Sequence, residues 1–121
     1  MSLDLFDAEG APVAYSEDGE HIFSFSGEPL AYIVGSSVYG FDGEHLGWFS
    51  EGQIRDHQGA VVTFTRGSRG GPLKPLTQLT PLKALRQLMP LKALRQLAPL
   101  RPIDSLAWSD LSAEQFFRTQ L

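Results

Sequence analysis

The chain has 121 residues, no cysteine and a formal net charge of −4. This length fits one domain, or a small domain with an appendage, and the lack of cysteine excludes disulfides, thiolate metal sites and cysteine nucleophiles. No stretch approaches the ~20 apolar residues of a membrane-spanning helix, and residues 1–10 lack the features of a signal peptide. We therefore expect a soluble, cytoplasmic protein.

The repeated unit of the first half is centred on a glycine that recurs every 16 or 17 residues. An apolar residue stands five positions before each glycine, and an aromatic residue stands five positions after it. Agreement of this kind over four copies indicates internal repetition. The four glycines are Gly10, Gly27, Gly43 and Gly59.

Each repeat predicts a β-hairpin. The flanking runs alternate and are rich in valine, isoleucine and aromatic residues, which suit a half-buried pleated surface. In the third repeat, Asp42-Gly43 is a pair favoured by type I′ turns. We expect a mainly β fold with about eight short antiparallel strands in four hairpins, arranged around a pseudo-fourfold axis.

The repeated aromatic position has two interpretations. Recurrence at equivalent places favours a role in core packing. The alternative is a platform on which a peptide or a carbohydrate stacks, because tyrosine and tryptophan combine an apolar body with a polar end. The residues concerned are Tyr15, Tyr32, Trp48 and Phe64.

The tail that follows has an apolar residue at every third position from Leu73 to Leu106, and a proline at every ninth from Pro72 to Pro99. Polyproline II has three residues per turn and tolerates proline, whereas an α-helix needs a spacing near 3.6. We favour an extended, polyproline-II-like tail. Short helices broken before each proline are the alternative, because phrases such as "LKALRQLM" favour helix.

The leucine edge of this tail needs a cover, because polyproline II has no internal hydrogen bonds to hold it with leucines exposed. Thirty-six residues would stretch over ~110 Å, while the head is only about 28 Å across. The tail therefore wraps around the head, packs with the tails of other chains, or both. The predicted interface consists of Leu76, Leu79, Leu82, Leu85, Leu88, Leu91, Leu94 and Leu97.

The charges also separate head from tail. Residues 1–65 hold eleven of the fourteen acidic residues and one basic residue, Arg55, whereas residues 66–103 hold eight basic residues and no acidic one. We favour mutual attraction of head and tail, within one chain or between chains. Binding of nucleic acid or an anionic surface is the alternative, although the tail lacks the interleaved aromatics that stack on single strands.

Two phrases of the hairpin repeats are distinctive, namely "VYGFDGEHLGWF" at 38–49 and "QIRDHQGAVVTFTRG" at 53–67. In these phrases the chain resembles the bacterial four-fold β-flower domain family, and the leucine tract and the closing "AWSDLSAEQFF" are similar to that family's downstream region. The resemblance implies a fold and no established activity, so it assigns no functional residue. Arg55 and Thr63 depart from the other repeats, which predicts an edge hairpin or a partner contact there.

The predicted organisation is a hairpin domain at 1–66, a glycine-rich linker at 67–71, the tail at 72–107 and a C-terminal segment at 108–121. Ser112 and Gln115 fit the capping box of a short helix in this last segment. Trp108, Phe116 and Phe117 are expected to pack in the core or at an interface.

The search for chemistry yields no catalytic, cofactor or metal site. His45 and His57 flank turns without the spacing of a ligand motif, and we expect both to be solvated turn residues. No paired general acid and base is specified. We therefore predict a non-enzymatic scaffold or interaction protein that forms a homo-oligomer through its tail, with room for a further protein partner. The peptide- or carbohydrate-binding module and the nucleic-acid or anionic-surface binder are the alternatives.

Overall fold

The computed structural model describes residues 2–118. Eight antiparallel strands close into a barrel in chain order, and one short helix follows. The elements are β1 (Leu3–Phe6), β2 (Pro12–Ser16), β3 (His21–Phe23), β4 (Pro29–Val34), β5 (Ser37–Tyr39), β6 (His45–Ser50), β7 (Gln53–Arg55), β8 (Val61–Phe64) and α1 (Ala113–Arg118). Pairing of Phe6 with Phe64 joins β1 to β8 and closes the barrel. The predicted fold class is confirmed, and closure leaves no edge hairpin.

The turn of the third hairpin differs from the predicted type. In the third hairpin Gly43 has a φ of 89°, but among the described non-glycine residues only Glu51 has a positive φ, so Asp42 does not. Gly40 and Gly43 instead form a type I turn that ends in a left-handed glycine, with Gly43 N donating to Gly40 O at 3.0 Å. Two successive positive φ values, the mark of a type I′ turn, occur at Glu51 and Gly52 between β6 and β7.

The barrel interior is filled by pairs of one branched and one small residue. Each hairpin places such a pair directly across its two strands, and all of the branched members are buried. A small residue opposite a large one lets four bulky side chains fit into a narrow barrel. The pairs are Leu5 with Ala14, Ile22 with Ala31, Val38 with Gly47, and Ile54 with Thr63.

The opposite face of the strands carries a second set of buried residues, which we call the outer aromatic ring. Neighbouring hairpins contribute touching side chains, such as Tyr32 and Tyr39 with ring centroids 6.0 Å apart. The members are Phe6, Tyr15, Phe23, Tyr32, Tyr39, Trp48 and Phe64, none more than 6% exposed. Side chains on the outside of a barrel are buried only when another layer covers them.

The helix α1 closes the end of the barrel at which the four hairpin turns lie. Ser112 Oγ accepts from Gln115 N at 3.0 Å and Ser112 N donates to Gln115 Oε1 at 2.9 Å, which confirms the capping box. Phe116 and Phe117 are buried in the same cluster as the interior residues. Gly47 leaves room for the neighbouring strand and for this helix, because a Cβ there would lie 2.0 Å from the carbonyl oxygen of Arg55 and 3.2 Å from the Phe116 ring.

Trp108 anchors the segment before the helix, as expected. Val61 N donates to Ala107 O at 3.0 Å, and Ser109 N donates to Val61 O at 2.8 Å, so this segment continues the sheet for one bridge. The indole packs against Phe64 with ring centroids 5.9 Å apart.

Candidate functional site

The tail is the layer that covers the outer aromatic ring. Residues 73–105 contain neither helix nor strand and follow the hairpins in chain order around the barrel. The extended interpretation is therefore correct, and the tail wraps its own head. Each nine-residue phrase meets one hairpin, and we call each such unit a quadrant. The four phrases are residues 72–80, 81–89, 90–98 and 99–107.

One row of the tail attaches to the hairpin turns through its backbone. In every quadrant a tail N–H donates to the carbonyl oxygen of the turn glycine. The four bonds run from Gln78 to Gly10, Gln87 to Gly27, Gln96 to Gly43 and Ser105 to Gly59, at 2.9, 2.9, 2.9 and 3.0 Å. The same tail position is used every nine residues, so the tail and the hairpins repeat in step.

The turn glycines permit this close approach. A Cβ built on Gly43 would lie 2.0 Å from the carbonyl oxygen of Leu94, and the other three turns are similar. The corresponding distances are 2.1 Å between Gly10 and Leu76, 2.2 Å between Gly27 and Leu85, and 2.5 Å between Gly59 and Ile103. The glycines that define the hairpin repeat therefore serve the tail as well as the turn.

A second row carries basic side chains across the outer aromatic ring. Four lysine or arginine groups of the tail, and Arg66 shortly before it, lie over ring faces, an arrangement that contributes ~0.5–1 kcal/mol each at exposed sites. The pairs are Arg66 over Phe6, Lys83 over Tyr15, Arg86 over Phe23, Lys92 over Tyr32 and Arg95 over Tyr39, between 4.6 and 5.7 Å from the centroids. This contact explains why the ring can face outwards and still be buried.

Two of the four residues considered as a ligand platform, Tyr15 and Tyr32, lie beneath this row, whereas Trp48 and Phe64 pack against other ring side chains. Tyr15, Tyr32, Trp48 and Phe64 are at most 4% exposed. Their burial agrees with the core-packing role that the recurrence of this position in the sequence favours. A peptide or a sugar would reach these rings only after the tail had left the barrel.

The basic row also pairs with acidic residues of the head. Glu17 lies 3.4 Å from Lys83 and 3.3 Å from Arg86, and Glu20 lies 3.6 Å from Lys92. Exposed pairs of this kind contribute little to stability individually. They show that head and tail attract each other within one chain, and that these basic groups lie toward the barrel.

The third row points away from the barrel and forms what we call the leucine girdle. Its members are more than nine-tenths exposed, and they include every residue of the predicted interface. The girdle consists of Leu73, Leu76, Leu79, Leu82, Leu85, Leu88, Leu91, Leu94, Leu97, Leu100 and Ile103, which are between 93 and 97% exposed. Such a continuous apolar surface on a single chain marks a contact site for a protein or a membrane.

The fourth quadrant breaks the pattern by exchanging its charges. In the third quadrant the basic residue Arg95 of the tail lies over Tyr39 of the barrel. One repeat further on, the tail residue is Asp104 and the barrel residue is Arg55. The basic residue has moved from the tail to the barrel, and an acidic residue has taken its place in the tail.

Arg55 is therefore paired with its own tail. Its Nε lies 3.6 Å from Asp104 Oδ1, and its Nη1 donates to Gly59 O at 2.6 Å and to Ser105 O at 2.8 Å. The guanidinium is 4% exposed. The departure from the repeat pattern reflects this contact and not an edge hairpin.

The two histidines lie together, and one of them contradicts the sequence-based expectation. His57 is exposed, but His45 is only 2% exposed. Nδ1 of His45 lies 3.0 Å from Nε2 of His57, and Nε2 of His45 lies 3.1 Å from Ser37 Oγ. The ring is packed between Tyr39 and Trp48. His45 was predicted to be solvated because it follows a turn, but its side chain joins the outer aromatic ring.

Burial and the neighbouring charge of His57 lower the pKa of His45 to about 4. His45 is therefore neutral near pH 7. The pair borders a cleft of about 470 Å³ between the third and fourth turns and the segment around Trp108. Asp56 at this cleft accepts a hydrogen bond from Ser109 Oγ. Within residues 2–118, no group of three or more histidine, cysteine or acidic residues is placed to hold a metal ion.

The architecture is thus a closed barrel of four hairpins that is wrapped by a tail of the same chain. The sequence model of one family, described as 4-fold beta flower protein, matches residues 3–117. The chain therefore belongs to the 4-fold beta flower protein family, and the match spans barrel, tail and most of α1. Comparison with curated proteins gave no match, and comparison with solved structures gave none. In the part of the chain that the structure describes, no helix is long and apolar enough to cross a bilayer.

The pairing of Arg55 with Asp104 is the contact that sequence reasoning missed. A signal for it exists, because Arg55 is the single basic residue of the first 65 and Asp104 is the first acidic residue after eight basic ones. Each of these two charges is opposite in sign to the charges that precede it along the chain, so a pairing between them is the expected arrangement.

Proposed function

We propose that this protein is a non-catalytic scaffold that self-associates in the cytoplasm through its leucine girdle. The observation that carries the proposal is the difference in exposure between the outward row of the tail and the rings that the tail covers. The girdle leucines are 93 to 97% exposed, while the aromatic rings beneath the tail are nearly inaccessible. Two rows of the tail complete the fold of a single chain, and the side chains of the third row contribute nothing to it. We attribute that third row to contacts between copies.

The energetics of one contact support this assignment. Complete burial of one leucine side chain stabilises a contact by ~1.5–3 kcal/mol, whereas the loss of free motion on association costs ~4–15 kcal/mol. One quadrant holds three girdle residues, such as Leu82, Leu85 and Leu88 in residues 81–89. Two facing quadrants bury six leucines, or ~9–18 kcal/mol before that cost. The gain exceeds the cost over most of these two ranges, so contact between two quadrants favours association of two copies.

A second copy fits this surface because the surface repeats itself. Residues 81–88 and 90–97 have the same sequence, "PLKALRQL". A chain that carries the same apolar row in successive quadrants can offer one face to a copy and receive the same face in return. The basic groups beside the row are held by the chain's own rings and carboxylates, so they do not oppose the approach.

The test is to make the girdle polar without disturbing the fold. Leu85 and Leu94 are 94 and 96% exposed, so replacing each by serine should change the free energy of unfolding by only about 0.5 kcal/mol, or about 1 kcal/mol for both. The mass measured by light scattering after size exclusion, at tens of micromolar chain, should shift toward the monomer.

The matched control replaces two exposed apolar residues outside the girdle. Val34→Ser with Met89→Ser, at positions 39 and 44% exposed, should leave the mass unchanged. A wild-type monomer at these concentrations, or a leucine variant with the mass of the wild type, would overturn the proposal.

A further inference from the structure

Building on the proposed self-association, we infer that the assembly is open-ended and lies in one plane. Copies of the chain pack side by side through the girdle and do not stack end to end. The partner class is thus further copies of this chain, arranged laterally around each barrel. Three features of the structure carry this inference.

The first feature is that the girdle continues through all four quadrants. A neighbouring barrel meets only the arc that faces it, so a dimer covers about one quadrant of each copy. Leucines in the remaining quadrants keep the same exposure, for example 93% at Leu76, 96% at Leu88 and 97% at Leu100. A closed dimer leaves most of the girdle uncovered, and each uncovered arc can receive another copy.

The second feature is the equivalence of the phrases. Because identical phrases at 81–88 and 90–97 lie in adjacent quadrants, one kind of contact can recur about a quarter turn further around the barrel. Four copies joined through these two quadrants alone would form a closed square. The first and fourth quadrants are just as exposed, however, so such a square still offers apolar arcs on its outside. Contacts that do not close continue to grow.

The third feature is the charge at the end of the barrel that α1 covers. The four hairpin turns and residues 108–118 bring a set of acidic side chains to this end, where Arg118 is the one lysine or arginine of those segments. The exposed acidic residues are Glu9, Glu28, Asp42, Asp110 and Glu114. Two such ends placed face to face would repel each other. Growth through two such ends is therefore disfavoured, and the girdle on the side of the barrel is left as the contact surface.

The experiment compares two leucine pairs in the full chain. Sedimentation across low to high micromolar concentrations should show a mean mass that rises without a plateau, and negative-stain images should show sheets one molecule thick. Leu76→Ser with Leu100→Ser weakens the girdle in the first and fourth quadrants only. This variant should stop at small, discrete assemblies.

The outcomes separate the two proposals. A wild-type monomer at every concentration defeats the proposed function itself. A discrete dimer or tetramer that Leu76→Ser with Leu100→Ser leaves unchanged, while Leu85→Ser with Leu94→Ser dissociates it, keeps self-association and overturns the open sheet. Fibres or stacks built along the barrel axis likewise overturn it.

Discussion

Replacement of Gly43 by alanine tests whether the turn glycines hold the tail. Gly43 has a φ of 89°, and a Cβ at this position would lie 2.0 Å from the carbonyl oxygen of Leu94. Gly19 is the matched control, because its φ is 76° and a Cβ there would meet no heavy atom within 4 Å. Both alanine variants share the backbone strain, and only Gly43→Ala collides with the tail.

The expected difference follows from the contacts at the third turn. Left-handed alanine costs roughly 1–2 kcal/mol in either variant. To clear the methyl group of Gly43→Ala, the tail has to retreat by about 1 Å, beyond hydrogen-bonding range. This movement breaks the bonds from Gln96 N to Gly43 O and from His45 N to Gln96 Oε1, both 2.9 Å. At ~0.5–1.5 kcal/mol for each bond, Gly43→Ala should lose ~1–3 kcal/mol more than Gly19→Ala.

Urea unfolding measures this difference, and limited trypsin digestion locates it. Cleavage after Lys92 and Arg95 should become faster in Gly43→Ala, because these side chains lie over Tyr32 and Tyr39 only while the tail is docked. Equal unfolding free energies for the two alanine variants would refute the reasoning. Unchanged cleavage rates in Gly43→Ala would refute it as well.

Two further predictions concern charge. The pKa of His45 falls from 6.5 to about 4 on folding, so the unfolded state binds the proton first as pH drops; the free energy of unfolding should decrease between pH 6.5 and 4 by about 3 kcal/mol from this group. Urea titrations should show a shallower decrease for His45→Asn, and an identical decrease contradicts the assignment. Asp104→Arg should destabilise the chain, because it places a second positive charge beside Arg55. Adding Arg55→Tyr should restore stability, because it recreates the arrangement of Tyr39 and Arg95. The double-mutant cycle should give a coupling energy of ~0.5–3 kcal/mol. A coupling near zero would mean that the charge exchange does not contribute.

The hairpins and the extended tail could be predicted because both follow from local patterns. The recurrence around Gly10 and Gly27 specifies strand, turn and strand within one short segment, and a three-residue spacing with prolines excludes a continuous helix. The capping box at Ser112 was equally local. Closure of the barrel through Phe6 and Phe64 joins residues 58 positions apart, and no short-range pattern encodes it.

The path of the tail and the environment of His45 could not be predicted for the same reason. Whether the tail covers its own head depends on contacts such as Gln96 with Gly43, which are far apart in sequence. His45 follows a turn, a position that is usually solvated, and its burial results from rings contributed by other strands and from the tail above them. The leucines were expected to be covered, and within one chain they are exposed.

The tail advances by one nine-residue phrase for each hairpin, and this fixed ratio limits the number of hairpins in the barrel. Eight strands ~4.8 Å apart and tilted by ~40° form a wall of radius about 8 Å. A layer packed ~10 Å outside that wall follows a circle of about 113 Å. Four phrases of nine residues at ~3.1 Å per residue span about 112 Å, which matches that circle.

Other numbers of hairpins require other phrase lengths. By the same geometry, three hairpins would need about eleven tail residues each, and five would need about eight. The length of the nine-residue phrase therefore fits a barrel of four hairpins. A duplication that added one hairpin together with a nine-residue phrase would make the tail too long for the larger circle. The number of hairpins and the length of each phrase therefore have to change together.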